Sequence, residues 1–351
     1  MNWKRIKQNQ RELSTMKNEA RLRENIKGKR ILYLATKNSD YIRVSQEIDM
    51  AKELGKSVEV IAFPDKKYLT RILKVYAKLL ATDIKQYDVV IVGFMAQMIL
   101  PVFMWKLRKK VIITDFFISI YDTLVFDRKK LKENSLPAKV CKWIDKLTIK
   151  ESTYLVSDTK THGQYFVEEL GAKIDKIYVC YLKADKKIYY PRVLEKPEQY
   201  RDQYLVLYFG SILPVQGVDI VMETIKSMEN VKDVHFIIIG PIGEKIEKAN
   251  TDNVTYINWL PQEKLAEYIA FSDLCLAGHF SNTVNKARRT IPGKAYIYQA
   301  MGKKMILGDS PANRELFRED KDFLFVSLGC SQELRKGILV EASRWRNDKN
   351  E

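Results

Sequence analysis

No stretch of this 351-residue chain approaches the roughly 20 uninterrupted apolar residues that a bilayer crossing needs, so a transmembrane protein is not expected. The four cysteines, Cys141, Cys180, Cys275 and Cys330, stand far apart, with neither the close spacing of a metal site nor a paired framework. A reducing cytoplasm is the simple expectation. The N-terminus lacks an apolar core region with a small-residue cleavage site, which argues against a secretory signal. No internal repeat or low-complexity tract is visible. The loop 37–41 holds no Gly-x-Gly-x-x-Gly, which disfavours a dinucleotide-dependent dehydrogenase. Nor does an Asp-x-Asp pair stand out as a metal motif.

What remains is long enough for two domains, each burying its own core, and its 46% hydrophobic content fits a folded protein. A formal charge of +16 calls for an anionic partner: nucleic acid, a sugar nucleotide or an anionic membrane leaflet. Charge alone does not choose among them. Residues 1–30 carry ten Lys or Arg against three Glu, and Trp3, Ile6, Leu13, Met16 and Ala20 fall on one helical arc. A basic amphipathic helix is predicted over 1–27, either touching a membrane surface or packed on the first domain.

Apolar runs at 29–36, 57–63, 89–93, 111–117, 154–157 and 176–181 alternate with helical patterns such as 43–54, which predicts a parallel, doubly wound sheet. In the loop after the first strand the polar candidates are Asn38, Ser39, Asp40 and Arg43. Asp115 closes the fourth strand, where functional side chains gather, or else it caps a helix. His162, after Asp158, is a cap, a packing residue or a site group. The polar, proline-containing run 184–203 reads as a linker.

A second series of strands then begins at 205–209 and runs into Gly210-Ser211, with Gln216 in the next turn. The run from Val234, which reads as a fully buried parallel strand, ends at Gly240, whose lack of a side chain lets the backbone approach a ligand. Trp259 and Leu260 follow the next strand. The chain then reaches a cationic stretch in which Lys286, Arg289 and Lys294 lie close to the break Pro292-Gly293. The amides that open a helix at Lys294 are unpaired and, with these cations, suit a diphosphate; the alternative is a solvated basic helix start. The strand ending at Leu307 delivers Asp309 and Ser310 to the crevice beyond the sheet, or into an ordinary turn.

The pattern Ile291-Pro292-x-Lys294-x-Tyr296, then Ala300-Met301-Gly302-Lys303, then Gly308-Asp309-Ser310-Pro311-Ala312-x-Arg314-Glu315 resembles the donor-sugar motif of GT-B glycosyltransferases of family 4, in a variant of bacterial surface-polysaccharide enzymes. The resemblance implies an α/β chain of two Rossmann-like domains, with parallel sheets facing each other across a cleft. Residues 1–190 would bind acceptor, 191–330 would bind nucleotide sugar, and a helix over 331–351 would cross back to the first domain. It places Gly210, Ser211, Gln216, Gly240, Lys286, Arg289, Lys294, Asp309, Ser310 and Glu315 on the donor, Trp259 and Leu260 near the base or in the core, and Asp115 and His162 near the transferred sugar. Asn38, Asp40 and Arg43 fall to the acceptor. Glu315 either caps a helix or binds a sugar hydroxyl.

Departures from the family are informative. Where most members carry a Glu-x7-Glu pair, this chain has Arg289 and Ile297, and where an Arg and a Lys usually meet the phosphates it has Ser211 and Gln216. Lys286, Arg289 and Lys294 are therefore the substitutes expected on the diphosphate. The implied reaction is a retaining, metal-independent hexosyl transfer without a cofactor, from a nucleotide-diphosphate sugar to a saccharide or lipid-linked saccharide in cell-surface polysaccharide synthesis. The implied location is cytoplasmic, peripheral on the inner membrane face. The rivals are a catalytically silent nucleotide-sugar-binding partner and, with no recognised motif to support it, a nucleic-acid-binding protein.

Overall fold

The computed structural model describes residues 16–210, 213–243 and 246–350. The chain divides into two units, Met1–Leu182 and Lys183–Glu351. In the first, strands β1 (Lys17–Asn18), β2 (Arg30–Leu34), β3 (Ser57–Ile61), β4 (Val89–Val92), β5 (Val111–Asp115), β6 (Tyr154–Ser157) and β7 (Ile177–Val179) form one sheet in the order β1-β7-β6-β5-β4-β2-β3. Every pairing is parallel. Runs such as Val-Val-Ile-Val in β4 are apolar throughout because helices cover both faces. Leu32, Val90, Val92 and Ile112 face Val75, Leu79, Phe103 and Leu107 on one side. Ile31, Tyr33, Val89 and Ile91 face Leu22, Ile26, Val44 and Ile48 on the other.

The second unit repeats the plan. Strands β8 (Tyr204–Phe209), β9 (Val234–Ile239), β10 (Val254–Ile257), β11 (Leu274–Gly278), β12 (Met305–Gly308) and β13 (Phe323–Val326) are all parallel, in the order β10-β9-β8-β11-β12-β13. Val206, Tyr208, Phe236, Leu274 and Ile306 meet Val221 and Ile225 of the helix Val218–Ser227. The terminal helix Ser331–Asn350 sets Leu334, Ile338 and Ala342 into this same core.

The N-terminal helix expected over 1–27 is corrected where it can be followed. Trp3, Ile6 and Leu13 lie outside the described residues. Lys17 and Asn18 are not helical: they pair as β1 with Tyr178 and Val179 at the edge of the sheet. The helix starts only at Glu19, because the Asn18 side chain accepts a hydrogen bond from the Arg21 amide at 3.2 Å and caps it. Its buried side chains are Leu22 and Ile26, while Ala20 is exposed.

Candidate functional site

In the second sheet the chain runs one way through β8, β9 and β10 and the other way through β11, β12 and β13. The order therefore reverses between neighbours β8 and β11, and open parallel sheets bind ligands beyond the carboxyl ends of the strands at such a reversal. β8 leads into Gly210 and β11 ends at Gly278, with φ of 141° and 84°. A Cβ on Gly210 would stand 3.2 Å from Lys294 Nζ, and one on Gly278 would stand 3.1 Å from the same atom and 2.8 Å from Gln216 Oε1. The two glycines leave the space that an ammonium group occupies.

Lys294 is the second residue of the helix Gly293–Ala300, which opens after the extended Pro292. Its Nζ donates to Gln216 Oε1 at 2.8 Å and lies 3.8 Å from the centre of the Tyr208 ring. The residue is only 6% exposed, and among the described residues no carboxylate forms an ion pair with it. Burial pushes the Lys294 ammonium well below its ordinary range. An amide oxygen and a ring face satisfy part of this cation, which has further donors and an uncompensated charge. A diphosphate is the chemistry that would complete it.

The backbone around this lysine is close-fitted. Gly240, after β9, has φ of 127°, and a Cβ there would sit 2.2 Å from the Gly210 carbonyl oxygen. Gly240→Ala is therefore expected to destabilise the second unit by about 2–4 kcal/mol, through both backbone strain and overpacking, read as a lowered denaturant midpoint. Unchanged stability would mean that these strand ends are not held together as described.

Sequence reasoning missed His279. It is buried, adopts a left-handed φ of 51°, and its Nδ1–H donates to the Thr290 carbonyl at 3.0 Å. Its carbonyl presses on Gly308, where a Cβ would approach to 2.5 Å. The available signal was position: a Gly-His pair directly after an apolar strand falls at the sheet's carboxyl edge.

The remaining second-unit candidates divide. Lys286 and Arg289 are half-buried on the short helix Lys286–Arg289, which ends at Thr290, the partner of His279. Asp309 is exposed and takes both Nε and Nη2 of Arg314, at 2.8 and 3.1 Å. Ser310 is buried, and its Oγ accepts the Asn313 amide at 3.2 Å. Both thus brace their own loop. Glu315 is half-buried in the helix Asn313–Leu316. Trp259 is exposed and Leu260 half-buried in the loop after β10. Ser211 lies outside the described residues. One literal Asp-x-Asp does occur, Asp320-Lys321-Asp322, and there Asp320 Oδ1 accepts the amides of Asp322 and Phe323 at 2.8 and 2.9 Å, shaping the turn before β13.

In the first sheet the order reverses between β2 and β4. Beyond their ends stand Tyr41, Phe94 and Phe117, with ring centres 5.5 to 6.3 Å apart, and Lys37 Nζ lies 5.5 Å from the Tyr41 ring centre. Asn38 is half-buried and Asp40 exposed in the same loop. Two other residues singled out from sequence prove to be each other's partner: Arg43 donates through Nε and Nη2 to both oxygens of Asp115, at 2.9 and 2.8 Å. Arg43 also donates to the Cys180 carbonyl at 2.7 Å, and its Nε lies 3.6 Å from Glu47, which accepts from Tyr33 at 2.6 Å. Burial and the nearby Asp115 push Glu47 well above the usual carboxyl range. His162, buried, sets its Nδ1 2.6 Å from Asp158 and packs 4.6 Å from the Phe166 ring centre.

Comparison with known proteins follows the same division. Residues 203–340, most of the second unit, match the model of the family "Glycosyl transferases group 1". Two solved structures share the architecture at low identity. A sucrose-phosphate synthase from Thermosynechococcus elongatus superposes with a TM-score of 0.63 at 12% identity, covering 90% of each chain. Anabaena HepE, solved with UDP and glucose, gives 0.64 at 14%, covering 89% of each chain. The fold is GT-B. An uncharacterized 41.2 kDa protein in the cps region of Klebsiella pneumoniae is 24% identical over 175 residues, or 49% of this chain. The match spans about half that relative's length, 46%.

Proposed function

We propose that this GT-B chain transfers a sugar from a nucleotide-diphosphate sugar to a saccharide or lipid-linked saccharide acceptor, as a family 4 type enzyme of cell-surface polysaccharide synthesis. One observation carries the reading. The buried ammonium of Lys294, held between Gly210, Gly278 and Gln216 at the sheet's reversal, lacks a counter-charge that a diphosphate would supply. As the donor bond breaks, negative charge grows on the leaving diphosphate, and Lys294 with the amides opening its helix is placed to stabilise it without a metal. The group 1 match over residues 203–340 supports the donor chemistry, and UDP in the HepE crystals makes UDP-sugars the first to try. Retention of configuration, a hexosyl donor and a cytoplasmic, membrane-peripheral location belong to this reading.

The test is a thermal-shift screen of UDP-, GDP-, ADP- and TDP-sugars, followed by a turnover assay with the donor that stabilises. One donor is expected to raise the melting temperature; stabilisation by none would end the reading. A second reading, donor binding without transfer, draws on the Arg43–Asp115 pair, which engages the carboxylate assigned to the sugar. Donor stabilisation with no turnover on any saccharide would favour it.

A further inference from the structure

Three helices lie side by side on one face of the first sheet: Tyr68–Ala81, Leu100–Leu107 and Leu136–Glu151. The Tyr76 and Phe103 rings lie 5.0 Å apart, and Lys106 donates to the Leu80 carbonyl at 2.5 Å, joining the first two. Gln97, in the turn before Leu100, donates to Asp145 of the third at 2.9 Å. Inward, Val75, Leu79, Phe103 and Leu107 fill the core as expected.

The outward faces are unusual. Leu69 and Leu73 are 75% and 66% exposed, and with Leu80 they form a stripe along the first helix. Val102 and Trp105 form a second, with Trp105 65% exposed. Leu136, Val140 and Trp143, spaced four and three apart, form a third, with Trp143 61% exposed. This last helix buries Asp145 and Thr148 beside Ala138 and Ile149, while its tryptophan faces out. Single exposed apolar side chains are ordinary, but stripes on three neighbouring helices mark an interaction surface.

Charge selects the occupant. Lys139, Lys146 and Lys150 are exposed on the third helix and Lys109 just beyond the second; the helices themselves carry two carboxylates, the buried Asp145 and the final Glu151, with Asp83 and Glu133 exposed just outside their ends. Aliphatic stripes with tryptophans and a lysine rim fit the boundary between lipid headgroups and acyl chains, where indole rings settle and anionic lipids attract lysine. A second copy of the same face would bring lysines against lysines, and nucleic acid has no use for the leucines. We propose that this three-helix face seats the chain on an anionic lipid surface. The transfer reading already includes a membrane-peripheral location, and this inference names the surface that would provide it, argued from that surface's own residues.

Flotation of the full chain with phosphatidylglycerol-containing and pure phosphatidylcholine vesicles tests it. The wild type is expected to float with the anionic vesicles, with a blue shift in tryptophan emission. The double variant Trp105→Gln/Trp143→Gln should keep the wild-type melting temperature and lose binding by about tenfold or more. Lys139→Glu/Lys146→Glu should weaken binding to anionic vesicles, an effect that salt reproduces. The proposal is overturned if the tryptophan variant floats like wild type, if the wild type floats with neither vesicle, or if it floats equally with both. It is also overturned if deleting residues 1–15 alone abolishes binding, which would assign the contact to that segment. Self-association abolished by the tryptophan variant with vesicle binding intact would make the face a dimer surface instead. None of these outcomes depends on sugar transfer, which the donor screen tests separately.

Discussion

Lys294→Met is expected to weaken binding of the nucleoside-diphosphate donor by about 30- to 1000-fold, corresponding to about 2–4 kcal/mol for a desolvated charge pair that loses one partner. Methionine keeps an apolar stem of similar length and removes the charge, its donors and the ammonium contact with the Tyr208 ring. The ligand-free variant should melt no lower than wild type, because a buried ammonium without a counter-ion adds little to stability. Melting curves with and without donor separate the two effects. Normal stability with lost donor stabilisation is expected, whereas wild-type affinity in the variant would place the diphosphate elsewhere.

Asp115→Asn is expected to destabilise the first unit by about 3–5 kcal/mol, because it leaves the buried Arg43 guanidinium without its two-pronged partner. At the scale of this unit that corresponds to a fall of roughly 6–20 °C in its unfolding temperature. The pH dependence of the wild type carries the signature of the same cluster. Glu47 has a folded-state pKa raised above the ordinary 4.5, so the native state binds the extra proton. The associated stability is fully present below 4.5 and is lost as pH rises through the raised value. Glu47→Gln should flatten that slope. Chemical denaturation across this range checks both variants, and an Asp115→Asn chain as stable as wild type would show that the pair is dispensable.

Most of the strands were legible because buried parallel strands leave unbroken apolar runs such as 89–92 and 236–239. Lys294 was legible because a Pro-Gly break announces a helix start. Its setting was not: Gln216 lies 78 positions away and the Tyr208 ring comes from a strand whose periodicity says only that it is buried. Arg43 and Asp115 were each singled out, but spacing gave no hint that residues 72 apart neutralise each other. Two features ran against pattern. Asn18 ends one element and caps the next within two residues, which cut short the helix expected from charge and periodicity. The helix Leu136–Glu151 buries Asp145 and Thr148 together with Ala138 and Ile149 and exposes Leu136, Val140 and Trp143, so a rule that points apolar faces inward describes only part of it.

The most direct measurement is calorimetric binding of UDP, or of the nucleotide named by the screen, across a pH series in buffers of different ionisation enthalpy. Without ligand, Lys294 has its pKa lowered by burial; a bound diphosphate raises it again. Between those two values binding must take up a proton, and affinity must fall as pH rises. Proton uptake in the wild type, absent from Lys294→Met, is the predicted result. Equal affinity in both proteins with no proton taken up by either would contradict it.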